Sequence, residues 1–178
     1  MRVLLVCILS LSNLVFAQSS VSWKTSKTMF LFSDQTPIGI NNSVRVETGY
    51  GEARFIKLII PIASFSSGEA ERDQEVQKIL KADIQPNIIF QTELMKQAEY
   101  ERLLSGDVRE ITGNLNIANE SHPVTVKLAL TNNFLVGTVD SKFTTFGITP
   151  PKVAGGLVAK VHDKLELVGR IDLEDLKK

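Results

Sequence analysis

From residue 111 to residue 173 the chain keeps returning to a period of two. Ile111, Gly113, Leu115 and Ile117 fall on one face, with Thr112, Asn114 and Asn116 on the other. Val124, Val126, Leu128 and Leu130 alternate with Thr125, Lys127 and Ala129. Leu165, Leu167, Gly169, Ile171 and Leu173 alternate with Glu166, Val168, Arg170 and Asp172. Such alternation is the mark of strands with one apolar face. Asn119-Glu120-Ser121 supplies turn chemistry between the first two runs and predicts a hairpin. Phe134 to Phe143, after Asn132-Asn133, is a further strand. Consecutive strands of this kind must dispose of their sheet edges, and closure into a barrel does so. A barrel of about eight strands is just wide enough to hold one ligand.

Phe55 to Phe65 is apolar at nearly every position, apart from Lys57, Pro61 and Ser64. It predicts a strand buried on both faces, with Pro61 at a bulge or edge. One helix follows. Ser66 and Glu69 have capping-box spacing. Glu69, Glu71 and Asp73 crowd its start and Lys78 and Lys81 its end, the polarity that suits the helix dipole. Val76, Ile79 and Leu80 form an apolar stripe, and Asp83 to Pro86 terminates the helix. Lys96 to Leu104 predicts a turn or two more, stopped at Gly106. The expected fold is therefore mainly β: a single antiparallel β-barrel of about eight strands with one short capping α-helix.

The first residues stand outside this pattern. Met1-Arg2 precedes the apolar run Val3 to Phe16, and Val15-Phe16-Ala17 has the spacing of a cleavage site before Gln18. This is a secretory signal pattern. Broken by Ser10, Ser12 and Asn13, the run is too short to span ~30 Å of hydrocarbon comfortably. Residues 1–17 are read as a signal peptide and 18–178 as one domain, without repeat, linker or further membrane segment. Removal of 17 residues from the 178 leaves 161, which should bury roughly 68–70% of their extended-chain surface. Cys7, the only cysteine, leaves with the signal, so disulfides contribute nothing to the mature domain. Cys7 also lies too early, and lacks the small residue before it, for a lipoprotein cysteine.

The 20 Lys and Arg balance the 20 Asp and Glu, and loss of Arg2 leaves 19 against 20. That balance argues against nucleic acid as a partner. One cysteine and two histidines are too few for a Cys/His zinc site. There is no Gly-x-Ser-x-Gly elbow. Gly155-Gly156 does not open a clear phosphate-binding helix. His122 stands at a hairpin end, and Asp172, Glu174 and Asp175 read as a solvated tail. His162-Asp163 is the one acid–base pairing to consider. Asn41-Asn42-Ser43 and Asn119-Glu120-Ser121 match the glycosylation sequon.

The order of several segments resembles a known family. Ile60-Pro61-Ile62-Ala63-Ser64-Phe65, then Arg72-Asp73, then Ile84-Gln85-Pro86-Asn87-Ile88-Ile89-Phe90 are similar to the YceI-like family's apolar strand, Arg-Asp-bearing helix and P-x-I-x-F strand. Ile111 to Ile117 resembles its V-T-G-x-L-x-I strand, and His122-Pro123-Val124-Thr125-Val126 the strand after it. Phe146-Gly147-Ile148-Thr149-Pro150 resembles its F-G-I-x-x-P loop, and His162 to Leu167 the start of its last strand. Together these cover residues 54–173. The resemblance implies a lipocalin-like barrel, periplasmic in bacteria, with a long apolar pocket for an isoprenoid chain such as a quinone or polyprenyl lipid. There are departures. The opening strand Ser20-Val21-Ser22-Trp23 lacks the family's His, Ala118 to Ser121 replaces its small-residue turn, and Gln74-Glu75 stand where a His often follows Arg-Asp. A different head group, or none, would follow if those positions touch the ligand.

Three hypotheses result. The first is an exported carrier or reservoir for an apolar lipid, with no other cofactor. Its ligand-lining residues would be Ile62, Phe65, Ile79, Leu80, Ile88, Phe90, Leu115, Ile117, Val126, Leu128, Phe143 and Phe146, with Arg72 either the polar contact at the mouth or a helix-surface partner of Glu69 or Glu75. The second is a stress-related or interaction protein whose barrel is a packed scaffold, with an apolar patch for homodimerisation. The third is an enzyme using His162 and Asp163, which requires both to face the pocket.

Overall fold

The computed structural model describes residues 18–29, 33–153 and 159–178. Residues 1–17, where the sequence predicts a signal peptide, and Gly155-Gly156 lie outside the described residues.

The alternating runs form strands, and these strands coil into one large antiparallel sheet. In chain order its members are β1 (Ser20–Lys24), β4 (Ile38–Asn41), β5 (Arg45–Thr48), β6 (Ile56–Pro61), β7 (Asn87–Thr92), β8 (Glu110–Ile117), β9 (Glu120–Thr131), β10 (Phe134–Ser141) and β13 (Leu165–Asp172). They are ordered β4-β1-β13-β10-β9-β8-β7-β6-β5. A second sheet, β11-β12-β2-β3, is built from β2 (Lys27–Met29), β3 (Ser33–Gln35), β11 (Lys152–Val153) and β12 (Ala159–Val161). The large sheet thus has nine described strands, where about eight were expected.

Its two edges, β4 and β5, are consecutive in the chain, and polar contacts bridge part of the gap between them. Ile40 and Ser66 exchange backbone hydrogen bonds, each 2.9 Å. Asn41, 0% exposed, donates from Nδ2 to the Pro61 carbonyl at 2.7 Å and accepts from the Ser43 N–H at 2.8 Å. A buried amide is tolerated here because both its ends are paired.

The segment 55–65 differs from expectation. Ile56, Leu58 and Ile60 are buried, whereas Lys57, Ile59 and Pro61 are only half-buried. The outer face is apolar in sequence but has no second layer over it. Pro61 ends the strand beyond the last residue paired with β5, where its missing N–H removes no bond from that ladder. A 3-10 turn, Ile62–Ser64, follows.

The first helix, α1 (Ala70–Ile79), begins later than the Ser66 capping box would place it. Glu69 is its N-cap and makes no side-chain cap bond. Instead Asp73 reaches back and accepts from the Ser67 N–H at 2.9 Å and the Ser67 hydroxyl at 2.6 Å. Gly68, with φ +79°, makes the turn that separates Ser67 from the helix. Leu80 is buried, with Val76 and Ile79 packed beside it, as the stripe requires.

The 118–121 hairpin turns one residue earlier than the sequence suggests. Ala118 and Asn119 carry φ of +53° and +69°, and Ile117 pairs with Glu120. Two positive φ values make the two-residue turn that matches strand twist. Two further helices are present: α2 (Gln97–Leu104), with Tyr100 and Leu103 buried, and the four-residue α3 (Leu173–Leu176). The C-terminal segment is therefore not a solvated tail. Asp172 caps α3 by accepting from the Glu174 N–H at 3.0 Å, and Leu173 and Leu176 are buried. Among the described residues no helix is long and apolar enough to cross a membrane.

Candidate ligand cavity

Strand register assigns the barrel two different ends. One end carries Lys24, Pro61, Asn87, Ile117, Ser141 and Leu165. There the chain leaves the sheet into α1, into the turn Thr144–Phe146 and into the small sheet. The other end carries Ile56, Thr92, Glu110, Phe134 and Asp172, and lies beside α2 and α3.

Inside lies a cavity of about 680 Å³. Its wall is the inward face of nearly every long strand: Ile56, Leu58 and Ile60 of β6, Ile88 and Phe90 of β7, Ile111, Leu115 and Ile117 of β8, Val124, Val126 and Leu128 of β9, Leu135 and Val139 of β10, and Leu165, Leu167 and Ile171 of β13. Lining by strands from both halves of the sheet requires that the sheet wrap around. Val21 and Trp23 of β1 complete the wall, and Leu176 of α3 borders the cavity at the end away from α1. Polar lining is concentrated at the α1 end: Thr25 and Lys27 on one side, and Glu69, Arg72, Gln74, Glu75 and Lys78 on the other.

Most of the sequence-predicted lining residues meet in this cavity: Phe65, Arg72, Ile79, Leu80, Ile88, Phe90, Leu115, Ile117, Val126, Leu128 and Phe143 all border it. Ile62 and Phe146 do not, and this corrects their assignment. Each sits in a 3-10 turn, where the alternation that aims strand side chains inward is broken. Ile62 is 1% exposed in the core. Phe146, also 1% exposed, meets the His122 ring edge-on at 5.4 Å. Arg72 both borders the cavity and pairs with Glu69, one helical turn away.

The sequence reading missed the β6 face, Ile111, Val124, Val139, Leu165, Leu167 and Trp23. Continuing the same alternation by one step finds Ile111, Val124, Leu165 and Leu167. Trp23 gives no such signal, because its strand is only five residues long.

The acid–base pair that the sequence offers is turned elsewhere. His162 is exposed, with Nε2 2.8 Å from the Thr28 hydroxyl oxygen. Asp163, also exposed, accepts from the Thr144 hydroxyl at 2.6 Å and the Thr144 N–H at 3.1 Å. Those bonds hold its carboxyl below the usual carboxylate range. Neither residue borders the cavity, which removes the geometry that the acid–base hypothesis required. Among the described residues no group of three or more His, Cys, Asp and Glu is arranged to hold a metal ion. Of the two sequon asparagines, Asn119 is exposed and Asn41 is fully buried.

A family model for the YceI-like domain matches residues 13–173. No curated protein matches the sequence. Among solved structures, Burkholderia cenocepacia BcnA is 17% identical with a TM-score of 0.56, over 85% of this chain and 94% of that one. A polyisoprenoid binding domain from Saccharophagus degradans, implicated in plant cell wall breakdown, is 9% identical with a TM-score of 0.57 and the same coverage. The Campylobacter jejuni YCEI protein is 16% identical with a TM-score of 0.53, over 75% of this chain and 82% of that one. At these identities the likeness is one of fold.

Proposed function

This chain belongs to the YceI-like domain family, and on that premise we propose that it is an exported, periplasmic protein whose barrel holds one apolar chain, isoprenoid in type, as a carrier or reservoir. The observation that carries this reading is the cavity itself: about 680 Å³, walled by aliphatic and aromatic side chains and polar only at one end. A packed scaffold would fill that space, since protein interiors close up to crystal-like density. The polyisoprenoid-binding neighbour adds weight for the isoprenoid class.

The energetics suit the task. Each CH₂ moved out of water into the cavity contributes ~0.8 kcal/mol, and the cost of ordering the chain is subtracted from the total. The polar groups at the α1 end would face the head group. Arg72, already paired with Glu69, is oriented along that rim. Gln74 and Glu75 border the cavity at that end, so a head group would meet an amide and a carboxylate there.

The test is organic extraction and native mass spectrometry of purified protein, with thermal melting in the presence of quinones and polyprenols. Co-purified lipid, or a rise in melting temperature with added lipid, is expected. An empty barrel that no such lipid stabilises overturns the reading.

A further inference from the structure

We infer that Leu176 is the floor of the cavity and fixes the length of chain that it accepts, a conclusion that rests on the reading just given. The side chain is 0% exposed, yet it borders the cavity. It belongs to α3, whereas α2, at the same end, supplies no lining residue. Tyr100 and Leu103 of α2 are 1% and 0% exposed and stop short of the cavity. Ile56, Leu135 and Ile171 border the same end from the strands, around its circumference. Leu176 is the lining residue there that comes from outside the sheet.

The floor is held in place by polar bonds. The Tyr100 hydroxyl donates to the Leu176 carbonyl at 2.6 Å, within the buried region. The Ser19 hydroxyl donates to the Asp175 carboxylate at 2.7 Å. The Thr48 hydroxyl donates to the Lys178 carbonyl at 3.2 Å. A four-residue helix has almost no stability of its own, so these bonds and its two buried leucines set its position. Three separate segments of the chain thus fix one side chain at the end of the cavity.

The experiment is a competition among polyprenols of graded length, read by native mass spectrometry on the wild type, L176A, L176F and L103A. L176A leaves space where the leucine ended and should move the ranking toward longer chains. L176F should move it toward shorter ones. L103A opens a void of the same size at the same end but outside the cavity and should keep the wild-type ranking. Wild-type rankings in both L176A and L176F overturn the inference, as does a shift in L103A equal to that in L176A. A wild type that takes up no chain defeats the carrier reading instead. Thermal melts check that each variant folds; if L176A does not, the direction of the L176F shift decides.

Discussion

The indole edge of Trp23 fills the space that a Cβ on Gly39, its cross-strand partner on β4, would need. The barrel's edge strand is thereby sealed against its neighbour from the inside. Glycine at 39 is a matter of room for the indole, and its φ is ordinary.

Gly39→Ala should therefore destabilise the fold by about 1–3 kcal/mol, the cost of overpacking a filled site. Gly169→Ala is the control. A Cβ there would meet Val21 Cγ1 at 3.9 Å, an ordinary contact, so its stability should stay within about 0.5 kcal/mol of wild type. Urea unfolding of both variants checks the contrast.

Phe143 and Phe146 are three residues apart but should separate binding from stability. Phe146 is buried against His122 away from the cavity, so Phe146→Ala should cost about 3–5 kcal/mol and leave lipid uptake by the folded fraction unchanged. Phe143 borders the cavity and is only half-buried. Phe143→Ala should weaken uptake with the smaller loss of stability. Melting curves and lipid titrations on the same preparations read both effects.

Asn41→Ala should destabilise by about 1–3 kcal/mol, because it removes two hydrogen bonds at the barrel seam, to the Pro61 carbonyl and from the Ser43 N–H, each contributing about 0.5–1.5 kcal/mol. By the same geometry a glycan at Asn41 is incompatible with the folded seam, whereas one at Asn119 is not. Expression in a glycosylating host should give folded protein modified at Asn119 only, read by glycopeptide mapping.

Asp175 gives the fold a dependence on acid. The Lys178 ammonium, 2.6 Å from its carboxylate, and then the Ser19 hydroxyl hold its pKa below the ordinary carboxylate value, against the opposing effect of burial. A folded-state pKa below the unfolded value of about 3.9 means stability present above that pH and lost as the pH falls through the folded value. The melting-temperature gap between wild type and Asp175→Asn should be open at neutral pH and should close below about pH 4.

The long strands were legible because one solvated face and one inward face write a period of two into residues 111–173. The helix Ala70–Ile79 was legible in its stripe, Val76, Ile79 and Leu80, but not in its start, because Asp73 bonds Ser67 across the glycine turn. The short strand Ile38–Asn41 was not legible, and Ser20–Lys24 was legible only through the family resemblance, not through its own pattern. Their pairing depends on partners as far away as Arg170 and Gly169, and so few residues show no period. Ile62 and Phe146 look like lining residues by composition; only the 3-10 turns that carry them reveal that they point elsewhere. The charged stretch after Asp172 hid two buried leucines, because Glu174, Asp175 and Lys177 dominate its sequence.

Strand Ser20–Lys24 pairs with Leu165–Asp172 on one side and with Ile38–Asn41 on the other. During synthesis the first of these strands waits for nearly the last before the wall has its full circumference. A chain arrested before residue 165 has every other long strand in hand but nothing to join β10 to β1. Such a contact, spanning most of the sequence, places late closure among the slow steps of folding. A nascent barrel is thus an open trough, and an enclosed interior becomes a property of the finished polypeptide alone.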